Sequence, residues 1–227
     1  MTKGIHIAVI PDGNRRFARK NHMPIWWGHK EGAKALKRLG EWSKEHPEIK
    51  MITVYALSTE NLNRTKEEVK MLWDGYKKEF EDIMNSDDIK ENELRINIIG
   101  DESTWRDDVR RVAKDVMKAT ESYSRTVLNI LLSYGSKYEI MNTVKKMVAT
   151  GVKMPLVEDT FNKYMMITKP VDLVIRTGGE HRLSNFLLYQ AAYAEIYFSD
   201  TLWPEFSKKE FESILEWYKN RDRRMGK

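Results

Sequence analysis

Residues 6–20 read HIAVIPDGNRRFARK: an apolar run passes directly into Pro11-Asp12-Gly13-Asn14, then into Arg15, Arg16, Arg19 and Lys20. A strand that ends on an acid backed by so much positive charge has two kinds of chemistry within reach. The acid can hold a hard metal ion, and the basic cluster can hold an anion. Four further apolar runs end in the same way. "MITVYAL" is followed by "STENLNR", "LRINII" by Gly-Asp, "VLNILLSY" by Gly-Ser-Lys and "VDLVI" by "RTGGEHRLSN". Ligands of open α/β sheets sit beyond the carboxyl ends of the strands, so one shared site is expected to gather all five ends. Glycines let backbone N–H groups approach phosphate oxygens, and Arg15, Arg16, Arg64, Arg176 and Arg182 carry a donor fork that matches phosphate. These ingredients point to diphosphate chemistry. Magnesium needs only one or two carboxylates beside water and phosphate oxygen, so Asp12 with one partner such as Glu195 would suffice. A Walker A sequence and a Gly-x-Gly-x-x-Gly run are both missing, which counts against the nucleotide-binding folds.

Each residue also has a plainer reading. Asp12-Gly13 can be only a turn after a strand, Glu195 an acid at an element end, and His29 a cap before "KEGAKAL". The arginines can pair with surface acids, and Tyr189, Tyr193 and Trp203 can belong to the core. Clustering at strand ends is what favours a site.

Positioning such a site falls to alternating elements. The five apolar runs are four to eight residues long and read as largely buried strands. Between them the period changes to that of helices. Ala33, Leu36, Leu39 and Trp42 share one face; Val69, Leu72, Trp73, Tyr76, Phe80 and Ile83 form a second stripe, and Trp105, Val109, Val112, Ala113 and Val116 a third. Thr65 and Glu68 have capping-box spacing, which sets a helix start near Thr65. "NSDDIKENE" reads as a surface loop and "KKEFESILEWYKN" as a last helix. The pattern predicts an α/β fold over residues 1–227: a single domain whose central, mostly parallel sheet is flanked by helices.

Composition agrees with a folded, water-soluble chain. Of 227 residues, 41% are apolar and 32% charged, and no apolar run approaches the length of a membrane span. The N-terminus lacks a signal-peptide pattern, and the absence of cysteine excludes thiolate metal sites and fits a reducing, cytoplasmic setting. A formal charge of +5 invites anionic partners. No basic tail, zinc-finger spacing or RNP-like motif accompanies it, so nucleic acid is not expected as a partner.

The segments "HIAVIPDGNRRFARK", "GHKEGAKAL", "YALSTENLNR", "DLVIRTGGEHRLSNFLLYQAAYAEIYF" and "LWPEF" resemble, in this order, the motifs of the cis-prenyltransferase family, typified by undecaprenyl diphosphate synthase. The similarity runs from about His6 to the closing "RRMGK". It implies an undecaprenyl diphosphate synthase-like fold with a hydrophobic tunnel, usually in homodimers. It also implies a Mg2+-dependent transferase that condenses isopentenyl diphosphate with an allylic prenyl diphosphate, forming Z double bonds and releasing pyrophosphate. By resemblance Asp12 is the central acid and Gly13, Asn14, Arg15, Arg16, Phe17 and His29 cradle the allylic diphosphate. Ser58, Thr59, Glu60, Asn61 and Arg64 form the second motif, whose Asn is tied to proton removal. Arg176, Arg182 and Ser184 hold isopentenyl diphosphate, and Glu195 completes the metal site across the dimer. A peripheral membrane contact for product release is also implied. Departures from the family pattern are Ile25, where an arginine gripping the allylic diphosphate is usual, Phe17 and Leu62 where Trp is common, and bulky Leu131 and Leu132, which are expected to alter the tunnel. Ile25 leaves open an atypical short-chain or non-head-to-tail condensing enzyme. A non-catalytic subunit of a heteromer is the remaining alternative, disfavoured because such partners usually lose the Asp-Gly-Asn motif kept here.

Overall fold

A computed structural model describes residues 4–153 and 155–222. The chain runs β1 (Ile5–Ile10), α1 (Asn14–Lys20), α2 (Ile25–Ser43), β2 (Ile49–Ser58), α3 (Lys66–Met84), α4 (Asp87–Glu91) and β3 (Leu94–Ile99). It continues α5 (Asp107–Thr120), β4 (Thr126–Tyr134), α6 (Ser136–Ala149), α7 (Glu158–Tyr164), β5 (Leu173–Arg176), β6 (Glu195–Phe198) and α8 (Lys208–Lys219). The six strands make one sheet in the order β3-β4-β2-β1-β5-β6, and every pairing is parallel.

A parallel sheet covered on both faces needs nearly continuous apolar strands, and alternate side chains serve opposite layers. Ile7 and Val9 join Ile52, Val54, Leu173 and Ile175 on one face, packed against Ala35 and Leu39 of α2 and Phe211, Ile214 and Leu215 of α8. On that face further along the sheet, Ile96, Ile98, Ile130 and Leu132 meet Leu72, Trp73 and Phe80 of α3 and Val109, Val112 and Val116 of α5. Ala8, Ile10, Tyr55, Leu131 and Val174 point the other way, toward Ile167, Phe186 and Leu187. The helical stripes expected from sequence thus supply the layer above the sheet.

Three local features differ from expectation. "NSDDIKENE" contains the short helix α4, because Ile89 within it packs against the α3–α5 cluster. "EIYF" forms an edge strand, β6, whose four half-buried residues are too few for alternation to announce it. At the start of α3 only half of the capping box forms. Thr65 Oγ1 accepts from Glu68 N (3.2 Å), while the Glu68 carboxylate is taken by Arg64 and Arg15.

The spacing of "GHKEG" has a packing cause. A Cβ at Gly28 would lie 2.2 Å from Asn14 O, and one at Gly32 2.4 Å from Asn14 Oδ1. Two side-chain-free positions one turn apart let the start of α1 lie against α2, which brings Asn14 beside His29's helix. No helix among the described residues is long and apolar enough to cross a membrane.

Candidate active site

β1 lies inside the sheet between β2 and β5, and the chain leaves it through Pro11 into Asp12. Three bonds hold the main chain there. Asp12 N donates to Ile10 O (2.9 Å), and Asp12 O accepts from Trp203 N (3.0 Å) and Thr177 Oγ1 (2.9 Å). Gly13 then turns at φ 113°, a left-handed value that favours glycine, and starts α1 without a side-chain cap. Asp12 is thereby kept out of the helix and its carboxylate faces the strand ends.

Two guanidiniums converge on that carboxylate. Arg176 Nη2 donates to Oδ2 (2.9 Å) and Arg16 Nη2 to Oδ1 (3.2 Å). Arg176 closes β5 opposite Ile10, and its side chain is only 4% exposed. Its other Nη donates to Ser184 Oγ (2.9 Å) and to Arg182 O, while its Nε has no hydrogen-bond partner among the described residues. A buried guanidinium with a spare donor, beside an acid about a third exposed, is suited to receive a diphosphate oxygen.

The end of β2 supplies a second wall. Ser58 Oγ accepts from Asn61 N (3.2 Å) and Ser58 N donates to Asn61 Oδ1 (3.1 Å), a reciprocal cap on the 3-10 turn Thr59–Asn63. With Asn61 Oδ1 occupied in this way, its side-chain NH2 group is what remains for a ligand. Arg64 Nη1 pairs with Glu68 Oε1 at 2.9 Å, and Arg15 approaches the same oxygen at 3.7 Å. His29 lies near this trio. Burial first, then the charges of Arg64 and Arg15, with Glu68 offsetting part of the effect, lower its pKa to about 4. The imidazole is therefore neutral at pH 7, and its buried Nε2 has no partner among the described residues. Glu60 is held low in pKa: burial pushes it up, but hydrogen bonds from its own backbone and from Asn185, Ser58 and Thr59 outweigh that.

Below these groups lies a cavity of about 1600 Å³. Asp12, Gly13, Asn14, Arg15, Arg16, His29, Ser58, Glu60, Asn61, Arg64, Arg176 and Ser184 line its mouth. Leu36, Leu39, Val54, Leu72, Tyr76, Phe80, Leu128 and Ile130 line its interior, and it continues to Leu94 and Thr126 at the opposite ends of β3 and β4. This is the hydrophobic tunnel expected above, with its ionic end at Asp12.

Several expected residues are not gathered. Phe17 stacks on Trp27 (centroids 5.1 Å apart, 7° between planes) and ties α1 to α2, away from the lining. Thr59 hydrogen-bonds Glu60 (3.1 Å) outside the lining. The Arg182 guanidinium, 61% exposed, pairs with Glu180 at 2.5 Å and only its carbonyl reaches Arg176. Glu195 opens β6 opposite Leu173, which pairs with Ile7, so it lies about five residues, roughly 16 Å of strand, short of Asp12's end of the sheet. There it binds Arg221 (3.0 Å). Within one chain Glu195 and Asp12 do not meet. Nor do all five strand ends line the site: Asp101 after β3 caps its own 3-10 turn, and Ser136 after β4 stays outside the lining, its N donating to Asn185 O (2.7 Å) and its Oγ accepting from Leu188 N (3.1 Å). Leu131 and Leu132 are fully buried in the core clusters and do not line the cavity, so their bulk does not narrow it. Ile25 begins α2 outside the lining, whereas Arg15, Arg16, Arg19 and Arg64 already crowd the mouth.

Sequence reasoning missed two residues. Asn185, at φ 64° directly after Ser184 at φ 50°, donates to Glu60 (3.0 Å) and accepts from Lys137 N (2.9 Å), joining the second motif to the last one. Asn is among the few residues at ease in that conformation, which was the available signal. Capping-box spacing accounts for Glu68 in the sequence, and only the fold reveals it as the counter-ion of Arg64 and Arg15.

Residues 10–226 match the family model described as putative undecaprenyl diphosphate synthase. The chain is 41% identical over 229 residues to a tritrans,polycis-undecaprenyl-diphosphate synthase (geranylgeranyl-diphosphate specific) of Pyrococcus abyssi, covering 98% of this chain and 86% of that one. It is 39% identical over 226 residues to an isoprenyl transferase of Thermotoga maritima, covering 97% and 96%. Among solved structures, a probable undecaprenyl diphosphate synthase of Campylobacter jejuni superimposes with a TM-score of 0.85 at 32% identity over the full length of both chains. Lavandulyl diphosphate synthase of Lavandula x intermedia, in complex with dimethylallyl diphosphate, gives 0.90 at 28% identity over 99% of each.

Proposed function

The chain belongs to the cis-prenyltransferase family typified by undecaprenyl diphosphate synthase, and from that premise we propose how its own residues divide the work. The enzyme is a transferase that condenses isopentenyl diphosphate with an allylic prenyl diphosphate to give a Z-polyprenyl diphosphate and pyrophosphate. The primer's carbon–oxygen bond breaks, the isopentenyl unit forms the new carbon–carbon bond, and one proton leaves that unit for the departing pyrophosphate.

Negative charge grows on the leaving group as the primer ionises, and fixed cations around it stabilise that transition state. Arg15, Arg16, Arg64 and the neutral imidazole of His29 hold the allylic diphosphate with the backbone of Gly13 and Asn14. Arg176 and Ser184 hold isopentenyl diphosphate. Asn61, whose side-chain oxygen is tied to Ser58 N, orients the reacting unit through its NH2 donors. Glu60 and Asn185 keep the two halves of the site in register. Phe17, Thr59 and Arg182 support these residues from outside the cavity.

Among the described residues no cluster of three or more acidic, His or Cys side chains could hold a metal unaided. The donor set at Asp12, one partly exposed carboxylate facing a diphosphate pocket, fits an ion that keeps most of its shell as water and phosphate oxygen. When bound there, Mg2+ would neutralise charge on the leaving diphosphate. Glu195 could join Asp12 only from a second chain, and the homodimer implied by the motifs is the arrangement in which it would. The apolar lining continuous with the Asp12 mouth is the observation that carries this reading: a growing hydrocarbon needs a dry path leading away from the ionic end. A cavity of this size, and relatives named as geranylgeranyl-diphosphate specific, support a long allylic primer and repeated condensation over a single addition. A peripheral membrane contact would then receive the product.

Incubating the protein with isopentenyl diphosphate, Mg2+ and primers of increasing length, then weighing the products, tests this reading. A ladder of five-carbon increments, abolished by a chelator and restored by Mg2+, is expected. Product formation that stops after one addition with every primer would favour the short-chain alternative, and no product with any primer would overturn the assignment.

A further inference from the structure

The turn between α1 and α2 presents an apolar surface with no partner among the described residues. Trp27 is stacked on Phe17, but the neighbouring Trp26, rotated about 100° around the helix, has no ring partner among the described residues and is 51% exposed. Met23, 40% exposed, sits three residues earlier, with Asn21, His22 and Pro24 exposed around it. Trp26 also lines the rim of the cavity, beside Arg19 and Lys30. Both cations are exposed and neither has an acidic partner among the described residues, whereas nearby Lys20 and Lys34 are neutralised by Glu205 (2.6 Å) and Glu31 (2.7 Å).

We propose that the α1–α2 turn, through Met23 and Trp26 flanked by Arg19 and Lys30, docks the cavity mouth onto an anionic lipid bilayer. The proposal rests on the prenyltransferase reading, since an apolar product must leave through an opening that faces an apolar phase. Exposed tryptophan and methionine between unpaired cations fit the headgroup boundary. The rings and thioether enter the acyl edge while the cations meet lipid phosphate. A protein partner would be expected to offer acids to these cations. The bilayer offers phosphate and hydrocarbon together, beside the cavity rim that Trp26 lines.

Sedimentation of the full chain with sucrose-loaded vesicles tests the proposal, using equal parts phosphatidylglycerol and phosphatidylcholine against phosphatidylcholine alone. The wild type should partition onto the anionic vesicles and be released as salt rises. Arg19→Gln and Lys30→Gln should each weaken binding about fivefold, from roughly 1 kcal/mol per charge near an anionic surface. Met23→Asp should weaken it tenfold or more, and Val148→Asp, on the exposed face of α6, should leave it unchanged. Turnover of a short, water-soluble primer is followed in parallel and should survive Met23→Asp. Preserved turnover without vesicle binding by the wild type overturns the docking alone, whereas absent turnover overturns the function beneath it. Equal binding by wild type and Met23→Asp, loss confined to Val148→Asp, or a change in oligomeric mass with Met23→Asp in place of a change in vesicle binding would each overturn the proposal.

Discussion

Asp12 and Asp101 both end a parallel strand and both adjoin a glycine, yet the fold uses them in opposite ways. Asp101 turns back on its own segment: its Oδ1 accepts from Ser103 N (3.1 Å) and Ser103 Oγ (2.6 Å), capping the 3-10 turn Glu102–Thr104. Asp12 caps nothing and meets Arg176 and Arg16. The turn chemistry is similar; the place in the sheet is not. β3 is an edge strand with one neighbour, β4, whereas β1 is flanked by β2 and β5 and so receives Ser58, Asn61 and Arg176 from both sides. An acid after a strand becomes a site residue when neighbouring strands deliver complementary groups to the same end.

Removing the charge at Asp12 is the severest way to break this contrast. Asp12→Asn keeps an acceptor for the buried Arg176, and so spares the fold, but loses the carboxylate that faces the diphosphate. Turnover should fall on the order of a thousandfold, about 4 kcal/mol of transition-state stabilisation, with the melting temperature nearly unchanged. Steady-state rates and calorimetry on the same preparation check both halves. Arg176→Lys should follow. It keeps a positive charge but loses the fork that reaches Asp12, Ser184 and the Arg182 carbonyl together, so kcat/KM for isopentenyl diphosphate should drop roughly a hundredfold, or about 2.7 kcal/mol.

His29 sharpens the comparison through pH. Its folded pKa of about 4 lies below the unfolded value of 6.5, so between these limits the unfolded chain binds the extra proton. Its contribution to stability is full above pH 6.5 and is lost as pH falls toward 4, by roughly 2 kcal/mol once partial solvent access is allowed for. Burial lowers the pKa of His6 as well and adds to the same trend. Denaturant unfolding of wild type and His29→Gln at pH 7 and pH 4.5 isolates the His29 part, and the variant should show the smaller loss. The smallest effect belongs to the other acid. Asp101→Ala should cost about 1 kcal/mol in unfolding free energy, typical of a lost cap, while turnover stays at the wild-type level. A comparable loss of turnover in Asp12→Asn and Asp101→Ala would dissolve the distinction between the two strand ends.

Much of this was legible before any fold was known. The strand runs and the Leu36–Leu39, Leu72–Phe80 and Val109–Val116 stripes carried their periods openly, because burial on one side imposes a repeat that composition cannot hide. The first, second and last motifs identified most residues of the cavity mouth. What stayed hidden depended on distance through space. Nothing local marks Glu68 as the counter-ion of two arginines from different segments, or Asn185 as the link between Glu60 and the start of α6. Leu131 and Leu132 lay in a motif thought to bound the tunnel, and whether their side chains face it is a question of core packing.

The sequence by itself determined an α/β chain with alternating strands and helices, an acid and a basic cluster at the end of its first strand, and motifs specific enough to imply the family. Tertiary structure alone decided which strand ends converge, that Arg176 and Arg16 share the Asp12 carboxylate, and that Glu195 stands at the far end of the sheet from Asp12 within one chain. The physical reason is one of range. Periodicity, turns and caps are set by contacts within a few residues, whereas a site is set by strand order and register, which bring residues 164 positions apart in sequence within 2.9 Å.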